Sequence, residues 1–259
     1  MPSTPGALGR LLRRIVRWPV SRRRGLLEAF YVLGVYFIYL TTRVRSTRAG
    51  EEALFNARRV IEWERASGLL VEREWQSLVI HSPVLSMAFN LVYVLPHFPM
   101  ILGLVWWTYR YRPSAYQLVR NTGIVASLAS FLIFAVFPVA PPKVIAELGI
   151  VNSLVKYGPV YYEMGAGPFY NALAAVPSLH VVYAVIASTG FAVLSRAWWT
   201  KALALTYLPA AVFAVVVTGN HYLADAIAAL IPLAAGVFAA LGIQVLRSGL
   251  RRMSRVPTP

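Results

Sequence analysis

Asp225 is the only aspartate among 259 residues, and it stands four positions after His221 inside an otherwise apolar run. Ionisable groups are costly in such surroundings and mark functional sites by default. Spaced i and i+4, the two side chains share a helix face, and helical side chains lean towards the N-terminus, so Asp225 points back at His221. A carboxylate that accepts from one imidazole nitrogen fixes the tautomer and leaves the other nitrogen as a nucleophile. A second histidine, His180, follows Pro177, Ser178 and Leu179 at the start of another apolar run. Histidine titrates near neutrality, which suits His180 to donate a proton to a leaving oxygen. Lys143 adds positive charge for phosphoryl oxygens, where most stabilisation in phosphoryl transfer lies. The catalytic candidates are therefore His180, His221 and Asp225.

Ser178 and Asn220 precede these apolar runs at positions typical of helix N-caps, so each histidine is expected within the first turn of a helix. Free N–H groups and the positive end of the dipole at a helix N-terminus favour an anion such as phosphate. Candidate phosphate or headgroup contacts are Lys143, Ser178, Asn171 and Asn220. The chain has no cysteine, which excludes disulfides, thiol nucleophiles and iron–sulfur clusters.

These residues need elements to position them, and the composition says which. Apolar residues make up 58% of the chain and charged residues 14%, with a mean hydropathy of +0.59. Apolar runs near 26–42, 83–109, 121–140, 179–195, 201–218 and 222–246 approach the roughly 20 residues needed to cross a bilayer. The expected fold is an all-α, polytopic membrane protein, a bundle of six transmembrane helices. The net charge of +15 is unevenly placed. With an inside N-terminus, segments 1–25, 110–120, 196–201 and the tail after 246 carry sixteen Lys and Arg and no acidic residue. The outer segments carry nine, against eight Glu. That asymmetry follows the positive-inside rule and argues against nucleic acid as the partner.

The resulting plan has a basic cytoplasmic tail at 1–25, a membrane domain at 26–246 and a second basic tail at 247–259. Within the domain, 43–82 is too charged to cross. Its Ala53, Ala57, Val60, Ile61 and Glu64 follow helical spacing, which predicts amphipathic helices in the outer interface, with Trp63 and Trp75 at the boundary. The 138–176 connection opens on Pro138-Val139-Ala140-Pro141-Pro142-Lys143, which ends a helix, and forms a long outer loop. His97, between Pro96 and Phe98, reads as a structural residue of a kinked second span that faces the bundle interior. By this topology Lys143, His180 and His221 converge at one face.

The blocks Pro177-Ser178-Leu179-His180 and His221-Tyr222-Leu223-Ala224-Asp225 resemble the motifs of the type-2 phosphatidic acid phosphatase (PAP2) superfamily. Those motifs are a Pro-Ser-Gly-His block and a later His-x-x-x-Asp block at the outer ends of transmembrane helices. The resemblance covers roughly residues 85–246. It implies His221 as a nucleophile that forms a phosphohistidine, Asp225 as its orienter, His180 as general acid, and neither metal nor other cofactor. Leu179 replaces the phosphatase glycine, and Val215 stands where an arginine is expected six residues before the nucleophile. With Pro141-Pro142-Lys143 upstream, the chain is more similar to the inositolphosphotransferase branch, which includes inositol phosphorylceramide synthases. That implies a lipid phosphate or phospholipid substrate, inositol-containing in that branch, and an active site at the extracytoplasmic face. Arginine- and alanine-rich usage fits a bacterial inner membrane.

Each signal also has a plainer meaning. Ser178 and Asn220 serve as caps in many helices, Lys143 as an interfacial anchor, and the loop tyrosines as an interfacial belt. A His–Asp pair alone serves equally in a proton-coupled transporter. Water as acceptor would make the enzyme a lipid phosphate phosphatase rather than a transferase.

Overall fold

The computed structural model describes residues 22–158 and 173–253. The described chain is mostly helical and has no strands, only an isolated parallel bridge between Val139 and Ala174. The described residues divide into two units between Phe37 and Ile38. Helix α1, Arg22–Arg48, begins in the first unit, where Phe30, Leu33 and Phe37 are exposed.

In the second unit α2 is Gly50–Ser67 and α3 Glu72–Ile80. The expected kinked span consists of α4, Pro83–Val94, and α5, His97–Tyr111. Pro96 lacks the N–H that would continue the helical ladder, and the chain restarts at His97. Helix α6, Pro113–Val136, starts on a proline at its first position, where a missing N–H costs nothing, and stops before Pro138. A short α7, Ser153–Tyr157, lies in the connection that follows. Then come α8, Leu179–Leu194, α9, Trp198–Val217, α10, Leu223–Ala228, and α11, Leu230–Met253.

Five helical stretches have the length and apolarity to cross a membrane: 25–44, 83–111, 113–136, 198–217 and 223–247. Helix α8 is equally apolar but has 16 residues. The chain is an integral membrane protein, and its second unit is a helical bundle. Its core joins Leu104, Val182, Ala214, Val215 and Val216, all within 1% of full burial. Helices α6 and α11 pack closely because Gly236 admits them: a Cβ there would lie 2.5 Å from the carbonyl oxygen of Thr122. The outward faces stay apolar, with Leu203, Leu205 and Phe238 more than half exposed, as for helices solvated by lipid.

The 43–82 segment, expected to form amphipathic helices in the outer interface, contains α2 and α3, each with an exposed and a buried face. Trp63 is half exposed, Trp75 packs on Phe213, and of the polar residues, Asn56, Glu64, Glu72 and Gln76 turn inward. The buried Gln76 amide donates to the carbonyls of Val151 (2.8 Å) and Val217 (2.9 Å) and accepts from the Val151 N–H (2.8 Å). Asn90 donates to the Ser153 carbonyl and accepts from its hydroxyl, both at 2.9 Å. Asn56 donates to the Pro138 carbonyl at 2.9 Å. An unpaired buried amide is expensive, so these bonds fix how the 138–157 connection sits on the bundle.

Candidate active site

Helices α8 and α10 begin at the same end of the bundle, tied by a bond from the Ser178 N–H to the Asp225 carbonyl (3.1 Å). His180 lies in the first turn of α8, as expected. His221 does not lie in a helix: α10 starts at Leu223, with Tyr222 as its N-cap. The cause is Gly219, whose φ of +77° turns the chain in the left-handed region. A Cβ on Gly219 would meet the Ile150 side chain at 2.9 Å and the Val151 carbonyl at 3.0 Å. The Asp225 carboxylate closes the turn by accepting from the Tyr222 N–H at 2.9 Å.

The pairing of His221 with Asp225 holds across this boundary, at 3.1 Å from Nδ1 to Oδ2. The same Nδ1 lies 2.9 Å from the Ala175 carbonyl oxygen. A carbonyl and a carboxylate can only accept, so Nδ1 carries the proton and Nε2 presents a bare lone pair. Sequence reasoning assigned the tautomer to Asp225 alone; the backbone of the 173–176 segment shares that task.

The His180 ring centroid lies 6.0 Å from that of His221, with the planes at 60°. His180 is itself held between two rings. Tyr93 stacks on it at 4.2 Å with a 20° interplanar angle, and His97 lies at 4.2 Å and 36°. His97, expected as a structural residue facing the bundle interior, lies there as the third imidazole of the cluster. It is buried, and its Nδ1 has no hydrogen-bond partner. The Tyr183 ring lies 5.4 Å from His97, and its hydroxyl shares a 2.6 Å hydrogen bond with Ser127. The proline break at residue 96 is the sequence signal that sets His97 at a helix start, but nothing in the sequence pairs it with His180.

Lys143 sits in a single 3₁₀ turn, Pro142–Val144. Its backbone N–H donates to the Gly219 carbonyl (3.1 Å), and its Nζ donates to Asn220 Oδ1 at 2.6 Å. Burial pulls its ammonium down to about 8. Asn220 is therefore not a helix cap: one end of its amide binds Lys143 and the other donates to the Thr218 hydroxyl at 2.9 Å. Ser178 is the residue before α8, yet its hydroxyl makes no capping bond and is buried without a partner. Asn171 lies outside the described residues. Val215 is 1% exposed in the core, where its carbonyl accepts from the His221 N–H (3.1 Å). No metal-binding group of His, Cys, Asp and Glu is found among the described residues.

Fold and site together define an integral membrane protein with a histidine-centred site at one end of a helical bundle. The family model described as the PAP2 superfamily matches residues 58–240, well over half of the chain. The chain belongs to that superfamily, which makes it a phosphatase-type enzyme. No curated protein and no solved structure matches it.

Proposed function

We propose that the chain is a membrane phosphotransferase or phosphatase that acts on a lipid phosphate or phosphodiester through a phosphohistidine at His221. The observation that carries this reading is the bare Nε2 of His221, fixed by two acceptors at Nδ1, with a second imidazole beside it. In the first step Nε2 attacks phosphorus, the bond from phosphorus to the leaving oxygen breaks, and His180 gives that oxygen its proton. Asp225 stabilises the charge that develops on the His221 ring. In the second step an acceptor hydroxyl attacks phosphorus, its proton passes to His180, and the nitrogen–phosphorus bond breaks.

Lys143, the unpartnered Ser178 hydroxyl, Asn220 and the first N–H groups of α8 are the groups we assign to the phosphoryl oxygens, with Asn171 as a headgroup contact. A valine fills the position of the phosphatase arginine, so Lys143 is the cation beside the histidine turn among the described residues. One positive charge matches the single negative charge of a phosphodiester better than the two of a monoester. This favours an inositolphosphotransferase-like reaction with an inositol-containing lipid as donor. The charge distribution along the chain supports cytoplasmic tails at 1–25 and 247–259, a catalytic domain at 26–246 and an extracytoplasmic site.

The test uses purified full-length protein with radiolabelled phosphatidic acid and headgroup-labelled phosphatidylinositol, with and without a chelator and added polyol acceptors. We expect chelator-insensitive turnover, an acid-labile phosphoenzyme, and loss of both in His221→Ala, with turnover lost in His180→Ala. Headgroup transfer to the polyol identifies a transferase, and release to water a phosphatase. Full activity in either histidine variant refutes the assignment.

A further inference from the structure

The first turn of any helix carries N–H groups that have no partner within the helix. In α10 two of these belong to Leu223 and Ala224, the residues between Tyr222 and Asp225. Both are taken by glutamates from far upstream: Leu223 N–H donates to Glu72 Oε1 at 2.8 Å, and Ala224 N–H donates to Glu64 Oε1 at 2.7 Å. Glu64 is the last residue of the buried stripe of α2, and Glu72 opens α3. The two are 0% and 1% exposed.

Their second oxygens, both Oε2 atoms, are buried and lack any donor. No described lysine or arginine forms an ion pair with either group. The charged and titratable groups around them are each other, Asp225 and Tyr222 of the α10 turn, and Arg65, Arg73, Glu74 and Glu147. The last four line, with Glu72, a cleft of about 530 Å³. Three carboxylates sealed at one helix end would repel strongly in a medium of low polarisability. A single proton between Glu64 and Glu72 removes one charge and supplies the missing donor. Burial, and then the neighbouring Glu72, push Glu64 from its ordinary 4.5 up to about 9. Burial pushes Glu72 up as well.

We propose that Glu64 and Glu72 are positioning residues of the active site. They share one proton between their buried outer oxygens and clamp the peptide groups between His221 and Asp225. This deepens the reading of the site given above and rests on it for its effect on turnover. The clamp anchors the turn from outside the bundle core, so the register of the His–Asp pair depends on two helices that carry no reacting group.

The geometry dictates a non-additive result. In Glu64→Gln the amide oxygen still accepts from Ala224 and the NH₂ donates to Glu72. In Glu72→Gln the same holds with the roles exchanged. In the double variant both outer groups are NH₂ donors that face each other, so one amide must turn and abandon its backbone bond. Purified full-length variants are compared by initial rates and by thermal unfolding in detergent at pH 6 to 9.5. We expect each single variant to keep kcat within about threefold, and the double variant to lose at least tenfold in kcat with KM within threefold.

The unfolding arm does not depend on the reaction assigned. Glu64 holds a proton in the folded state that the unfolded chain releases above 4.5. Wild-type stability should therefore fall as pH rises towards about 9, and that fall should flatten in Glu64→Gln. The double variant should also melt lower than the two single losses add up to. A double variant as active and as stable as the singles overturns the shared proton. A single glutamine variant that abolishes activity while folded overturns it too. If wild type turns over neither lipid, the assigned reaction fails, and the unfolding results still decide the clamp.

Discussion

Asp225→Asn removes one charge while leaving an oxygen where Oδ2 stands. In the structure Oδ2 accepts from His221 Nδ1 at 3.1 Å and from the Tyr222 N–H at 2.9 Å, while Oδ1 is buried without a partner. An asparagine oriented with its oxygen in the first place keeps both bonds, and its NH₂ occupies the second. If Asp225 alone held the tautomer, the amide could also turn and donate, which in hydrolytic triads costs roughly 10⁴ in kcat. Here the Ala175 carbonyl at 2.9 Å still requires a proton on Nδ1. The loss is then the difference between a charge-assisted and a neutral hydrogen bond to the imidazolium, about 1–1.5 kcal/mol. That converts to roughly 5- to 13-fold in kcat. The assay is single-turnover phosphoenzyme formation with phosphatidic acid and with phosphatidylinositol in mixed micelles, so that release steps do not intrude. A 10⁴-fold loss would show that the carbonyl does not hold the ring. An unchanged rate would show that the carboxylate charge does nothing in the transition state.

Lys143 titrates near 8, so kcat/KM should fall as pH rises through about 8 and its ammonium is lost. In Lys143→Arg the alkaline limb should move up by more than one pH unit, as measured in a kcat/KM profile. Gly219→Ala places a Cβ in the left-handed region and against Ile150 and Val151, at a cost of about 2–4 kcal/mol. Thermal unfolding should fall by at least about 5 °C, and turnover should fall further because the turn carries Asn220 and His221. His97→Phe keeps a ring against His180 and should retain kcat within about fivefold. His97→Ala leaves that ring unsupported and should lose at least about tenfold. Initial rates on the same lipids separate the two.

The geometry of the site was legible where short sequence spacings govern it. The i, i+4 spacing of His221 and Asp225, the Ser178 start of α8 and the proline break before Lys143 are all features of adjacent residues. The membrane helices were legible because their length is set by the bilayer. Asn220 was misread as a cap because the left-handed turn at Gly219 moves the helix start to Leu223, and the amide is then drawn to Lys143. Glu64 stood in the apolar stripe of α2, the one charge on a buried face, yet its partner lies 160 residues away. Gln76 and Asn90 bond across 141 and 63 residues. Such contacts leave no period in a sequence, since they depend on how elements meet and not on how each one forms.

The amide tethers of Gln76, Asn90 and Asn56 all gather at the end of the bundle that holds the histidines. The helices present exposed aliphatic and aromatic surface along their whole length, from Val84 and Val136 to Trp198 and Leu246. Lineages carrying this scaffold can therefore re-tailor that surface to bilayers of different thickness or fluidity while the chemistry stays put. Adaptation to a new host membrane and retention of the reaction are largely separate problems for this architecture.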